Sequence, residues 1–227
     1  MTRAVAAAGA PAPEVFEEVT LEGRFGIVLT RLDGPTLTQL SRSGAMTPEQ
    51  AGATLATLAL AVHRTPPPAD LLSLRDYMEG SLRLSGGALP APIASGVMAL
   101  VERLPREGGL CHCDLHPSNV IMTAQGPRLV DWTGAVRAPV GHDLGISHIL
   151  LSEIIPDLVD DPERPRAIDA AMQAEYARLA GASPAALTAA MKPYLPVARA
   201  LALLAGGAPT QRERLIQGVE AGLRSAD

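Results

Sequence analysis

Hydrophobic and polar positions along the chain change period several times, and each change predicts a different element. Residues 15–20 and 25–30 are β-favouring runs on either side of Leu21-Glu22-Gly23-Arg24, which predicts a hairpin with glycine at its turn. The second run, FGIVLT, is apolar on both faces and is expected to be the more buried strand. Ahead of it, residues 1–10 are helix-compatible and are stopped by Gly9, Pro11 and Pro13, predicting an exposed or partly helical N-terminus. Residues 31–35, RLDGP, break the second strand and mark a linker or hinge.

Beyond the hinge the period becomes helical. A short helix is expected over 36–41, and a stronger one begins at Thr47, where a Thr N-cap, Pro48 in the first turn and Gln50 three residues on form a capping-box signature. Leu55, Leu58, Ala59 and Val62 keep one apolar face until Pro66-Pro67-Pro68 ends the pattern. Residues 69–90 read as a loop with a short helix over 74–78, and 91–104 as a helix. After Gly145, helices are expected over 146–155, 165–179, 183–192, 196–204 and 210–224, with Pro193 and Pro196 forcing a break. No fixed-period repeat is visible.

Between these helical regions lies LCHCDLHPSNVIMTAQGPRLVDWTG, residues 110–134, where polar chemistry is densest. Residues 119–122 and 127–131 form two short strands around a tight loop in which Gly126 takes a positive φ. With the turn centred on Gln125, Asn119 and Asp131 are equidistant from it and face each other, their Cβ atoms roughly 5 Å apart. An amide oxygen beside a carboxylate is a hard-oxygen pair of the kind that suits Mg²⁺. Asp114 stands in the loop feeding the first strand, where a carboxylate off the metal can accept a proton from an attacking hydroxyl. Taken singly, Asn119 and Asp131 also read as ordinary turn residues, and His112 as a hydrogen-bonded histidine bracing the loop. Cys111, Cys113 and His116 lack an evident fourth ligand for zinc.

Composition narrows the reading. Aromatics are 3% of the chain, so the core must be filled by small aliphatic residues, which suits close-packed helices. A net charge of -5 with scattered basic residues disfavours nucleic acid. Lys192 is the only lysine among the 19 basic residues. Two cysteines one residue apart give no disulfide framework and fit a reducing cytoplasm. No apolar run approaches the ~20 residues of a spanning helix, so no membrane partner is expected.

His112, Asp114 and Asn119 in H-x-D-x-x-x-x-N order, a hairpin, and Asp131 after it match the order of catalytic and metal-binding segments in protein-kinase-like folds. HCDLHPSN followed by VDWTGA resembles the aminoglycoside phosphotransferase family, which includes choline-kinase-like small-molecule kinases. GAPAPEVFEEVTLEGRFGIVLTRLDGPTL is similar to the end of that family's N-terminal lobe, and LALAVHRTPPP to the first large helix of its C-terminal lobe.

The resemblance implies an α+β, mostly α fold: residues 1–33 as the remnant of an N-terminal lobe with its hinge, and 34–227 as a helical catalytic and substrate lobe. It implies ATP and Mg²⁺ as cofactors and a small-molecule hydroxyl substrate. Asp114 would be the catalytic base, His112 the loop brace, and Asn119 and Asp131 the metal ligands. Asp143, in GHDLG, matches a loop-bracing aspartate. Adenine would lie against the hinge at Thr30, Arg31 and Leu32, over an apolar floor that includes Ile121 and Val130.

The family's phosphate-covering loop, strand lysine and helix glutamate have no counterpart here: 14 residues precede the first strand, and no lysine precedes Lys192. These parts are expected from a longer reading of the gene or from a second chain engaging the exposed N-terminal hairpin. The remaining reading is that they are lost, leaving a nucleotide-binding or protein-interaction remnant. Glu153 and Asp157, with Asp160, Asp161 and Glu163, form an acidic neighbourhood that either favours a cationic substrate or is a solvated loop face.

Overall fold

The computed structural model describes residues 1–206 and 209–225. Helix α1 (Thr2–Ala7) leads to the antiparallel pair β1 (Val15–Leu21) and β2 (Arg24–Leu29), followed by α2 (Leu37–Arg42), α3 (Pro48–Arg64), α4 (Leu74–Leu84) and α5 (Ala91–Arg103). The central stretch is bracketed by β3 (Gly109–Cys111) and β6 (Val136–Ala138), with β4 (Val120–Thr123) and β5 (Gly126–Leu129) inside it. The chain then runs through α6 (Val140–Ile149), α7 (Glu163–Ala180), α8 (Pro184–Met191), α9 (Leu195–Leu204) and α10 (Pro209–Arg224).

Local chemistry sets several of these boundaries. Thr47 Oγ1 accepts from Gln50 N while Gln50 Oε1 accepts from Thr47 N, closing the capping box at the start of α3; Thr36 and Gln39 do the same for α2. Helix α3 buries Leu55, Leu58, Ala59 and Val62 as their spacing predicts. Gly52 lets it run close to α7: a Cβ there would lie 2.6 Å from that of Ala171 and 2.7 Å from Ile168 O.

Several elements differ from the sequence reading. α4 extends to Leu84, well past the short helix expected, its N-terminus capped by Ser73. α6 begins at Val140, directly after Pro139 and ahead of Gly145, and Gly141 in its first turn packs against the end of α8, where a Cβ would meet Ala190 O at 2.1 Å. The N-terminal segment is partly helical, as expected, and is also anchored: Val5 and Ala10 are buried in the same core as Leu37, Leu55, Val120 and Leu129. Neither strand of the outer hairpin, β1–β2, is buried, FGIVLT included: Phe25 is 72% and Phe16 61% exposed, and Ile27 and Val28 are also open to solvent. Its sheet has two strands, and among the described residues neither of the molecule's two hydrophobic clusters takes in a side chain from either strand.

Two hydrophobic clusters hold the molecule. One joins α1, α2, α3, α7 and the β4–β5 hairpin; the other joins α4, α5, α6, α9 and α10. The central stretch lies between them, with Leu110, Leu115 and Trp132 in the first cluster and Cys111 and Val136 in the second.

Candidate active site

The β3–β6 ladder pairs Leu110 with Arg137 and Cys111 with Val136, so residues 112–135 form a loop tied at its neck. Inside it, Val120 pairs with Leu129 and Thr123 with Gly126 around a two-residue turn. Thr123 Oγ1 donates to Gly126 O at 2.8 Å and accepts from Gln125 N at 3.2 Å, while Gly126 adopts φ +103°. This register is one residue tighter than a turn centred on Gln125. Asn119 therefore stands opposite Val130, whose N–H donates to Asn119 O at 3.0 Å, and not opposite Asp131. A one-residue slip reverses the face on which a side chain emerges. Asp131 lies past the strand in a left-handed conformation, φ 60° and ψ 68°, which re-aims its exposed carboxylate; Thr133 Oγ1 donates to that carboxylate at 2.6 Å.

Both edges of this hairpin are occupied. Leu129 N donates to Pro11 O at 2.7 Å, and Met122 N donates to Pro35 O at 2.9 Å, with a further bridge between Thr36 and Ile121. Gly34 makes the second contact feasible, since a Cβ there would fall 2.0 Å from Met122 O. The hinge is thus held directly beside β4. Val120 and Leu129 face the core at 0% exposure, whereas Ile121 and Val130 share the opposite, half-buried face. Thr30 N donates to Glu14 O at 2.9 Å, extending the outer hairpin, and Thr30 Oγ1 is buried without a hydrogen-bond partner. Leu32 is half-buried, and Arg31 is exposed and pairs with Asp33 at 2.8 Å.

Asp114 and Asn119 are brought together. Asn119 Nδ2 donates to Asp114 O at 2.9 Å and to Asp114 Oδ2 at 2.8 Å, while His116 Nε2 lies 3.4 Å from Asp114 Oδ1. His116 Nδ1 accepts from Ser118 N at 3.3 Å, which leaves the proton on Nε2, facing the carboxylate. Partial burial pushes the Asp114 carboxyl up, but the hydrogen bonds and charge of His116, with the Asn119 amide, outweigh it and hold the group below its ordinary value. His116 as a partner of Asp114 was missed by sequence reasoning, although its place two residues on, before Pro117, was the available signal.

His112 braces the loop. Its Nδ1 accepts from Asp114 N at 3.2 Å, so Nε2 carries the proton and donates to Val130 O at 3.0 Å. The ring meets Trp132 edge-on at 4.6 Å, and burial pushes its pKa down, keeping it neutral. One imidazole thereby spans the segment before β4 and the segment after β5.

Asp143 anchors the entry to this loop. Its Oδ2 accepts from His112 N at 3.1 Å and Oδ1 from Cys113 N at 2.6 Å, and His63 Nε2 stands 2.9 Å from Oδ2. His63 Nδ1 bonds the Tyr176 hydroxyl at 2.7 Å, continuing the chain from α3 to α7. Burial opposes ionisation of Asp143, but the His63 hydrogen bond and charge, with the backbone donors, lower its pKa to about 2. Cys113, the residue it pins, adopts φ 65°. Burial pushes the Cys111 and Cys113 thiols well up, so both are protonated packing groups. The Cys111, Cys113 and His116 grouping weighed for zinc is divided accordingly: His116 serves Asp114, and Cys111 Sγ donates to Ala138 O at 3.3 Å.

A model of the phosphotransferase enzyme family matches residues 1–182. The chain belongs to this family. Its fold is α+β and mostly helical, with protein-kinase-like neighbours among solved structures. An apo thermostable mutant of aminoglycoside phosphotransferase APH(4)-Ia is 17% identical, with 98% of this chain and 80% of that chain covered and a TM-score of 0.59. A variant of the same enzyme in ternary complex with ADP and hygromycin B is 16% identical, with 98% and 80% covered and a TM-score of 0.60. An ethanolamine kinase from Plasmodium vivax is 14% identical, with 100% of this chain and 72% of that chain covered and a TM-score of 0.58. No curated protein matches the sequence. No helix among the described residues is long and apolar enough to cross a membrane.

In the acidic neighbourhood read either as favouring a cationic substrate or as a solvated loop face, Glu153 and Asp157 are both paired. Glu153 is gripped at two points by Arg199, at 3.0 and 2.6 Å, and Asp157 pairs with Arg214 at 2.9 Å. Both carboxylates are neutralised from α9 and α10, a partnership that local sequence could not reveal.

Proposed function

We propose that this protein is an ATP- and Mg²⁺-dependent phosphotransferase acting on a hydroxyl of a small molecule. The observation that carries the reading is the Asn119 amide, which bonds both the carbonyl and the carboxylate of Asp114. Its nitrogen is spent on Asp114, so its oxygen is the atom left for a cation. Together with the exposed Asp131 carboxylate this is a hard-oxygen donor set, which fits Mg²⁺. Bound there, the ion supplies neutralising charge to phosphate oxygens.

In the proposed reaction the acceptor oxygen attacks the γ-phosphorus, its proton passes to Asp114, and the bond to the β-phosphate oxygen breaks to release ADP. Asp114 is ionised at neutral pH and therefore able to take that proton, while Asn119 and His116 fix its orientation. Residues 1–33 would act as the lobe remnant, with adenine at the hinge, Thr30 to Leu32, over Ile121 and Val130. The protonated, unbridged cysteines fit a cytoplasmic setting.

One observation favours a second reading, a nucleotide-binding remnant without turnover: the sole lysine, Lys192, sits on an exposed turn between α8 and α9. Calorimetric titration with ATP and Mg²⁺, using Asp131→Ala as control, tests nucleotide binding. ADP release over a panel of alcohols tests turnover and should fall at least about 100-fold in Asp114→Asn, the usual cost of losing a general base. Metal-dependent binding with no ADP release would favour the remnant.

A further inference from the structure

A cavity of about 560 Å³ opens from Asp114 toward the C-terminal helices. None of the hinge or floor residues lines it, so it belongs to the acceptor side. Its walls come from α4, from α6 and the turn that follows, and from α9. Ile149, Ile154, Leu201 and Ala202 typify the surface, and among the described residues that line it Asp114 is the one carboxylate and there is no lysine or arginine.

The end of α6 shapes this wall. Leu150–Ile154 forms a π-helical turn, a widened turn common at functional sites. It sets Leu150 and Ile154 into the cavity while Glu153 is held by Arg199. The acid most available from sequence is thereby withdrawn and aliphatic side chains are presented instead. Among the described residues of this wall an ammonium group would have only Asp114 as a charged partner, and that carboxylate already receives Asn119 and His116. Burying a charge without a partner is strongly unfavourable.

We propose that the acceptor is an uncharged alcohol with a hydrophobic body, its hydroxyl at Asp114 and its carbon skeleton between α6 and α9; this rests on the phosphotransferase reading above. At roughly 30 Å³ per non-hydrogen atom, as in liquid water, the cavity holds a body of up to about 20 such atoms. Tyr77 Oη, on the α4 wall, makes no hydrogen bond to another described residue and is kept protonated by burial, with the nearby Cys113 and Asp114 adding to the effect. It is the donor available to orient a second oxygen of the acceptor.

The test uses full-length protein and two probe sets: terpenoid and fused-ring alcohols of about 10 to 20 non-hydrogen atoms, against choline, ethanolamine and a deoxystreptamine aminoglycoside. Calorimetry without nucleotide reads binding, and ADP release with Mg·ATP reads transfer. A neutral alcohol should bind at least about tenfold tighter than any cation. Ala202→Trp, which fills the cavity, should weaken that binding by at least about tenfold and leave Mg·ATP affinity unchanged. Should that variant not fold, Ala202→Leu should give a smaller loss in the same direction.

Tighter binding of a cation, binding of no neutral alcohol, or indifference to cavity filling overturns the inference. ADP release driven only by a cation would keep the phosphotransferase reading and sink this one. Neutral-alcohol binding without ADP release would support the ligand class and sink the phosphotransferase reading.

Discussion

The molecule contains two β-hairpins of similar local pattern and opposite circumstances. β1–β2 has the longer strands and the stronger run of β-formers, yet Phe16, Leu21 and Phe25 stand in solvent. β4–β5 has four-residue strands, one with a proline in it, yet Val120 and Leu129 are fully buried and both of its edges are bonded, to Pro11 O and Pro35 O. Isolated two-stranded hairpins are marginal in water. What separates the two is what comes to meet them from distant sequence, and the polar side chains proposed for catalysis flank the one that is met.

The sharpest way to break this comparison is to release the inner hairpin's entry loop. Asp143→Ala leaves the His112 and Cys113 N–H groups and His63 without their acceptor, and should cost about 3 to 5 kcal/mol of unfolding free energy, measured by urea titration. A loss below about 1 kcal/mol would mean the loop is held by other means. Next, Leu129→Ala should cost about 2 to 4 kcal/mol, as a cavity in a packed core does. Phe25→Ala on the outer hairpin should stay within about 0.5 kcal/mol, as surface changes do. Equal effects would show that the outer hairpin is packed in solution.

A pH-dependent effect follows from the Asp143 ionisation. Its folded pKa of about 2 lies below the ordinary 3.8, so the folded state favours the carboxylate. That stabilisation is complete above pH 4 and is lost as pH falls through 2, by the order of 2 kcal/mol. Wild-type stability should decline over this window, and the decline should be shallower in Asp143→Asn. Matching acid profiles would remove Asp143 as its source.

Much of this was legible beforehand because it depends on near neighbours. Thr47, Pro48 and Gln50 announce α3, and the order of His112, Asp114, Asn119 and Asp131 marks the candidate site before any fold is known. The facing of Asn119 and Asp131 was misread because a turn's register depends on one residue: Thr123 pairs with Gly126, and the side chain of Thr123 closes the turn that spacing alone centred on Gln125. The left-handed backbone at Asp131 then aims the carboxylate, which no periodicity encodes. Burial of FGIVLT was misjudged because apolar faces on a strand state what could be covered, not what is. The arginines on Glu153 and Asp157 arrive from 46 and 57 residues away, beyond any local pattern.

The chain of contacts from Tyr176 through His63 to Asp143 has a consequence for anyone wishing to transplant this chemistry. Residues 110–134 carry every group proposed to touch metal or proton, and look like a portable cassette. Their conformation, however, is set from outside, by α3 at His63, by α6 at Asp143 and by the prolines at either flank of the hairpin. The smallest graft that keeps its shape is therefore a discontinuous one, with the cassette inserted into a scaffold that already supplies a histidine, an aspartate and two backbone carbonyls at those places.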